Sequence, residues 1–537
     1  MFFVDAQKRF RSSNKPKPMP LLTRSLLFRC SLSMVSCLFG TSSILADVRL
    51  PSLFTDHMVL QQGKTIPVWG WAENGEQVSV EFLGKTSKTV AKAGTWMVHL
   101  PKQKAGGPHE LRVQGKNSIT LRDVLVGEVW VCSGQSNMEW SMSRSENPGQ
   151  DIAGSANPNL RLFTVPKLKA TALTEDVKSS WTTASPETTP NFSAVAYYFG
   201  RDLQKSLGVP VGLIHTSWGG SPAEVWMSQD LLESNPSYKK EILETFQNAH
   251  KKYQEALSKY EKEVETAKAE GRKPSGNRPN LGWRPSELYN GMIHPLLPYA
   301  IQGAIWYQGE SNAGRAHQYR SLFADMIKNW RNKWGQGDFT FLEVQLAPWD
   351  RNKKRSLAEI TAIPVESDWA ELREAQWLAT RKLPNVGMAV ITDVGDKDDI
   401  HPTKKGPVGA RLALAARKIA YGQRVVHSGP IYRSHRVRRS EVSLSFDHSG
   451  AGLESRGGTL TGFSIAGVDQ KFHWAKARIE GNRVVVSSAD VSKPVAVRYG
   501  WADFPVVNLF NREGLPASPF RTDSFQMVTA PKPSSNR

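Results

Sequence analysis

Apolar and polar positions divide the chain into three textures. Over residues 48–122 apolar residues recur at about every second position in short runs, IPVWGWA (66–72), QVSVEFLG (77–84), TWMVHL (95–100) and ELRVQG (110–115), separated by turn formers such as Glu73-Asn74-Gly75-Glu76. A two-residue period turns one face of each run to a core and the other to water, so 47–122 reads as a small antiparallel β domain of sandwich type. From Val124 the runs become continuously apolar: VLVGEVWVCS (124–133), VGLIHTSW (211–218), IQGAIWYQ (301–308), FTFLEVQL (339–346) and VGMAVITDV (386–394). Between them, 193–207, 316–334 and 369–382 carry apolar residues at three- and four-residue steps, and a further helix is expected over about 403–421. Strands buried on both faces and alternating with helices predict an α/β domain with a largely parallel sheet over 123–425.

Residues 229–283 interrupt that rhythm with the charged stretch KKYQEALSKYEKEVETAKAEGRK, whose apolar positions are too sparse for a coiled coil. It reads as a solvated surface helix or helical pair. After Tyr421 alternation returns in EVSLSF, LTGFSIAG, KARIEGNRVVVSS and PVAVRYGW, predicting a C-terminal β domain over 426–530 and a tail over 531–537.

The formal net charge of +19 suggests a polyanionic partner, but seven Lys/Arg and one Asp within residues 1–46 account for six of those charges. The remaining excess is spread without a long basic run, and no phosphate loop is present, so a nucleic-acid partner is not expected. Residues 1–46 have the order of an export signal: basic residues, a mostly apolar stretch from Leu26 to Leu45 broken by Arg29, and Ala46 as a cleavage position. The expectation is an exported protein, periplasmic or extracellular, with no stable membrane insertion after cleavage; an uncleaved anchor is the alternative. Cys30 and Cys37 lie in that segment, leaving Cys132 alone, so no intramolecular disulfide is available to the mature chain. Seventeen tryptophans are many for this length; surface tryptophans often stack on sugar rings, although most tryptophans in any protein are core or half-buried packing.

Four motifs sit at the C-terminal ends of predicted strands, the edge where open α/β sheets place their ligand crevice. Gly134-Gln135-Ser136-Asn137-Met138 would hold a serine hydroxyl on a tight turn, as a nucleophile requires, although small polar residues at helix starts are also ordinary caps. Asp398-Asp399-Ile400-His401-Pro402 lets one short loop present a carboxylate and the imidazole it orients. Ser217-Trp218-Gly219-Gly220-Ser221 and Gln308-Gly309-Glu310-Ser311-Asn312 offer donors for an oxyanion. The expected donors are the N–H groups of Ser136 and Gly220 with the Gln308 side chain, Asn312 being the fallback. GQSNM lacks the second glycine of a G-x-S-x-G elbow, which argues against that hydrolase class. There is no HExxH and no cysteine pair, so neither a catalytic metal nor any cofactor is expected, and Asp396, Asp398, Asp399 and His401 form the one cluster that could take a cation.

These stretches resemble the sialate O-acetylesterase family, a branch of the SGNH/GDSL hydrolases that is also similar to acetyl xylan esterases. The resemblance is carried by LFTDHMVLQQ (53–62), GEVWVCSGQSNMEW (127–140), TSWGGSPAEVW (216–226), LYNGMIHPLLPYAIQGAIWYQGESNA (288–313), GDKDDIHPTKKGPVGARLAL (395–414) and NLFNREGLPASPFRTD (508–523). It implies a three-layer α/β/α catalytic domain flanked by the two β domains, and a metal-independent serine esterase acting on O-acetylated carbohydrate. Ser136 would take the acetyl group and His401 would act as base and then acid. The usual SGNH spacing selects Asp398 as the orienting acid, whereas the local DIHP pattern points to Asp399, and both stay open. An acetylated sialate would call for an arginine near the site, with Arg144, Arg284 and Arg315 as candidates. Acetylated xylan or another polysaccharide is the alternative substrate, and a non-catalytic carbohydrate-binding protein the alternative class.

Overall fold

The computed structural model describes residues 47–352 and 354–531. The expected signal at 1–46 and most of the expected tail, 532–537, lie outside them. The architecture is mixed α/β, organised around one large mixed sheet.

The N-terminal strands are β1 (Val59–Gln61), β2 (Ile66–Trp71), β3 (Gln77–Phe82), β4 (Lys85–Val90), β5 (Thr95–Leu100) and β6 (Gly106–Gln114). Strand β2 pairs with β5 alone, while β4, β3 and β6 form an antiparallel ladder that continues onto β7 (Ser118–Gly134). The strand β7 runs through the expected boundary at 122/123. Its first half pairs antiparallel with β6, and its second half is a parallel strand of the central sheet. The change of partners occurs beside Asp123, whose backbone is left-handed (φ 52°) and whose carboxylate takes both terminal nitrogens of buried Arg161 at 2.7 and 3.0 Å.

The central sheet adds β8 (Asn157–Thr164), β9 (Thr182–Ala184), β10 (Val211–Ser217), β11 (Gly303–Tyr307), β12 (Thr340–Val344) and β13 (Val386–Ala389), in the order β13-β12-β11-β7-β10-β8-β9. All its pairs are parallel except β8 with β9. Alternation along β7 builds the two faces. Val129 and Val131 join a core with helix α4 (Ala316–Trp334), and Trp130 and Cys132 join one with α2 (Ala194–Leu207) and α6 (Lys405–Ile419). Helix α5 (Asp368–Lys382) packs beside α4. In the charged insertion, α3 (Thr245–Ala269) is solvated, with Ala267 its one buried residue. A four-residue helix, α1 (Ser136–Glu139), directly follows β7. No described helix is long and apolar enough to cross a membrane.

Beyond residue 430, two four-stranded antiparallel sheets share a third core that includes Val442, Leu444, Ile465, Val484, Val497 and Tyr499. This unit is tied to α5 by the paired contacts of Arg521 with Glu374 at 2.9 and 3.1 Å and by the Glu371 carboxylate, which accepts from Val528 and Thr529.

Where β7 ends, the register sets Gly134 between Ser217 of β10 and Tyr307 of β11. A Cβ on Gly134 would lie 2.1 Å from the Tyr307 carbonyl oxygen, and its φ of +139° is one that side chains resist. Gly134→Ala is therefore expected to cost roughly 1–3 kcal/mol and lower the Tm, whereas Gly149→Ala, where nothing lies within 4 Å, leaves it near the wild-type value. Thermal denaturation of the two variants checks this.

Candidate functional site

The chain turns sharply out of β7 at Gly134, and Ser136 becomes the first residue of α1. Its N–H is one of the donors a helix start leaves without an intrahelical partner. The loop after β13 brings in His401, whose Nε2 lies 2.8 Å from Ser136 Oγ. On the other ring nitrogen, Nδ1, Asp399 Oδ1 stands 3.5 Å away and also accepts the His401 backbone N–H at 2.9 Å. Asp398 instead takes Lys397 Nζ at 2.5 Å and the Lys354 N–H at 3.2 Å. Asp399 is thus the acid on the imidazole side of the loop. Asp396 accepts the N–H groups of Asp398 and Asp399 and shapes the turn; no group of three His, Cys, Asp or Glu among the described residues is arranged to hold a metal.

Two of the expected donors are not brought to the cleft. The Gln308 amide donates to Ser221 O at 3.2 Å and Asn312 Oδ1 at 2.7 Å, and its oxygen accepts from Tyr319. Asn312 donates in turn to Glu224 Oε2 at 3.0 Å. Both side chains are fully buried in this network, which braces β11 against the turn after β10. The Ser-Trp-Gly-Gly turn does reach Ser136, through Gly219 more closely than Gly220: a Cβ on Gly219 would meet Ser136 Cβ at 3.2 Å, and one on Gly220 would meet nothing within 4 Å. The Gly219 N–H donates to Glu139 Oε2 at 2.6 Å, and Glu139 Oε1 accepts from Lys167 Nζ at 2.5 Å.

The cleft is about 550 Å³ and is lined by Ser136 and His401 together with Trp140, Arg144, Lys167 and Trp218. Trp140 stacks on the His401 ring, centroids 5.3 Å apart and planes at 20°, while the Arg144 guanidinium sits 3.7 Å from the Trp140 centroid. At the rim Trp218 meets Trp283 edge-on, and Lys169 Nζ lies 4.0 Å from the Trp283 ring. Of the three candidate arginines, Arg144 alone lines the cleft. Arg315 is engaged by Glu224 at 2.6 Å, and Arg284 lies over Phe246.

Burial is the largest influence on His401 and lowers its pKa below the ordinary 6.5; Lys405 and Arg144 push the same way, against Asp399. A neutral imidazole with Nε2 facing a hydroxyl is the form a general base needs. His215, also at the cleft, is pushed down to about 4 by burial and bonds Ser217 Oγ at 2.6 Å. Asn137, Trp140, Glu139, Glu310 and Lys405 were not singled out from sequence, and the signal available for them was adjacency: the first three sit within GQSNMEW, Glu310 within QGESN and Lys405 four residues beyond His401.

Residues 275–418 match the family described as carbohydrate esterase, sialic acid-specific acetylesterase. The chain is 31% identical to the sialate O-acetylesterase of Mus musculus over 499 residues, covering 85% of this chain and 90% of that protein. It is 30% identical to the sialate O-acetylesterase of Homo sapiens over 519 residues, 88% and 92% of the two chains. A crystal structure of a carbohydrate acetylesterase from Xanthomonas citri superposes with a TM-score of 0.76 at 40% identity, covering 89% of this chain and all of that one.

Because the Trp140 ring shields His401, Trp140→Ala is expected to move the imidazole titration up toward 6.5. Histidine-labelled NMR titration of wild type and variant checks the direction.

Proposed function

Since the chain belongs to the sialate O-acetylesterase family and is a carboxylic ester hydrolase, we propose that it removes acetyl groups from carbohydrate hydroxyls through a Ser136 acetyl-enzyme. The observation that carries this reading is the 2.8 Å contact between Ser136 Oγ and His401 Nε2 at the floor of the cleft. Ser136 Oγ attacks the acetyl carbonyl as its proton passes to Nε2, and the tetrahedral oxyanion forms beside the N–H groups of Ser136 and Gly220, the Gly219 N–H being taken by Glu139. His401 then gives the proton to the departing sugar oxygen. Water, deprotonated by the same nitrogen, hydrolyses the acetyl-enzyme and frees Ser136. Asp399 stabilises the imidazolium that forms in each half, and its position at 3.5 Å favours it over Asp398 for this part.

Arg144 supports an anionic sugar, a sialate, over neutral xylan: it is exposed at the cleft and forms no ion pair among the described residues. Its guanidinium can take a carboxylate two-pronged while Trp140 backs its plane. The enzyme is read as exported, with the two β units flanking a three-layer catalytic domain.

Acetate release from 9-O-acetyl sialic acid, acetylated xylan and p-nitrophenyl acetate tests the proposal. Ser136→Ala and His401→Ala are each expected to lower kcat by roughly 10⁴–10⁶-fold with folding intact; residual rates near wild type would sink the mechanism. Arg144→Met is expected to raise KM about 10- to 100-fold for the sialate and leave p-nitrophenyl acetate almost unchanged. Equal effects on both substrates would argue against a carboxylate site. Asp399→Asn is expected to lower kcat by about tenfold or more and, by removing a raising influence on His401, to move the acid limb of the rate profile to lower pH. Asp398→Asn should do neither.

A further inference from the structure

Behind the Ser136–His401 pair lies a buried lysine that the reaction as written does not use. Lys405 is 1% exposed and is the first residue of α6. That position is doubly unfavourable for a cation, since it is removed from water and lies at the positive end of a helix. Burial pushes Lys405 down to about 7, and the same burial raises the carboxyl of Glu310 nearby. A well-packed apolar residue would cost less at such a point, so stability does not account for a lysine there.

The contacts of its ammonium do. Lys405 Nζ donates to Asn137 Oδ1 at 2.5 Å, in a niche formed by the rings of Tyr307 and Trp140 at 5.4 and 5.6 Å. The amide nitrogen of the same Asn137 donates to Glu310 Oε1 at 2.7 Å and to the carbonyl of Ile400 at 3.1 Å. A cation on one side and a carboxylate on the other allow the amide a single orientation. In that orientation the residue after the nucleophile grips the residue before the imidazole. Asp399 holds the His401 backbone N–H at 2.9 Å from the solvent side, and its 3.5 Å approach to Nδ1 leaves the ring itself loosely held.

We propose that Lys405 is a positioning residue for the ester hydrolysis: its ammonium locks the Asn137 amide, which holds the Ile400 carbonyl and thereby sets His401 against Ser136. The inference rests on the assignment of the reaction to Ser136 and His401. Lys405 touches neither the substrate nor the reacting atoms, and Glu310 acts as the opposite jaw of the clamp.

The test is a double-mutant cycle read by acetate release from p-nitrophenyl acetate and 9-O-acetyl sialic acid. Lys405→Met and Asn137→Ala are each expected to lower kcat about 10- to 100-fold, the loss that roughly 1 Å of misplacement brings, with KM changed less than about threefold. Lys405→Gln, which keeps an N–H donor for Asn137, is expected to recover part of the loss. The double variant Lys405→Met/Asn137→Ala should be no slower than the slower single, because both break one linkage. If Lys405→Met does not fold, Lys405→Gln with Asn137→Ala closes the same cycle. Wild-type kcat in the Lys405 variants, or losses that multiply in the double, would overturn the inference. Ser136→Ala separates the two levels: its inactivity alongside wild-type kcat in Lys405→Met overturns this inference alone, and its full activity overturns the parent assignment as well.

Discussion

The closeness of three strand ends at Gly134 is the constraint on which the cleft depends. Strands β10, β7 and β11 run parallel and in register there, so the backbone of β11 occupies the volume a side chain on Gly134 would need. With no side chain in the way, β7 turns at once into α1, and Ser136 emerges between the turns that follow its two neighbours. Chain order makes this possible: β7 comes first but sits in the middle, so the connections to either side part above its end and leave a crevice. The Gln308–Asn312 network then braces one wall of that crevice.

Burial first, and two nearby cations after it, favour the neutral form of one imidazole. Arg144 and Lys405 flank Trp140, the ring that covers His401, and both disfavour a second positive charge beside them. Burying Lys405 there is costly in itself, and were a proton to reach Nε2, Asp399 would be the nearest compensating charge. Glu139 performs a different balancing act, holding Lys167 with one oxygen and the Gly219 N–H with the other. The basic excess of the whole chain is therefore less informative than the placement of four or five of its members.

Much of this was legible in the sequence because it is written in local signals. The second half of β7, the strands β10, β11, β12 and β13 and the helices α2, α4 and α5 follow from apolar runs and three-to-four periodicity, which report burial directly. Ser136 and His401 were readable as motif residues at strand ends. What was not legible depends on side-chain direction. An amide after a strand looks the same whether it points into a crevice or into the core, so Gln308 and Asn312 read as cleft donors although their side chains bond within the core, and nothing in the sequence marks Asn137 apart from them. The choice between Asp398 and Asp399 is of the same kind, since neighbouring residues on a tight turn face apart. Lys405 was hidden because a lysine in a basic, polar stretch reads as solvated, and only the packing of α6 under Trp140 and Tyr307 buries it.

The seventeen-residue strand β7 has a consequence for how such a chain can be rearranged. A protein assembled from beads on a string can lose or trade a bead, because the string between them is disposable. Here the thread that would have to be cut is itself the middle plank of the next structure, pairing backward with β6 and forward with β10 and β11. An N-terminal unit joined in this way is inherited with its neighbour rather than shuffled past it, and any descendant that discards it must first invent a new edge for the plank left bare.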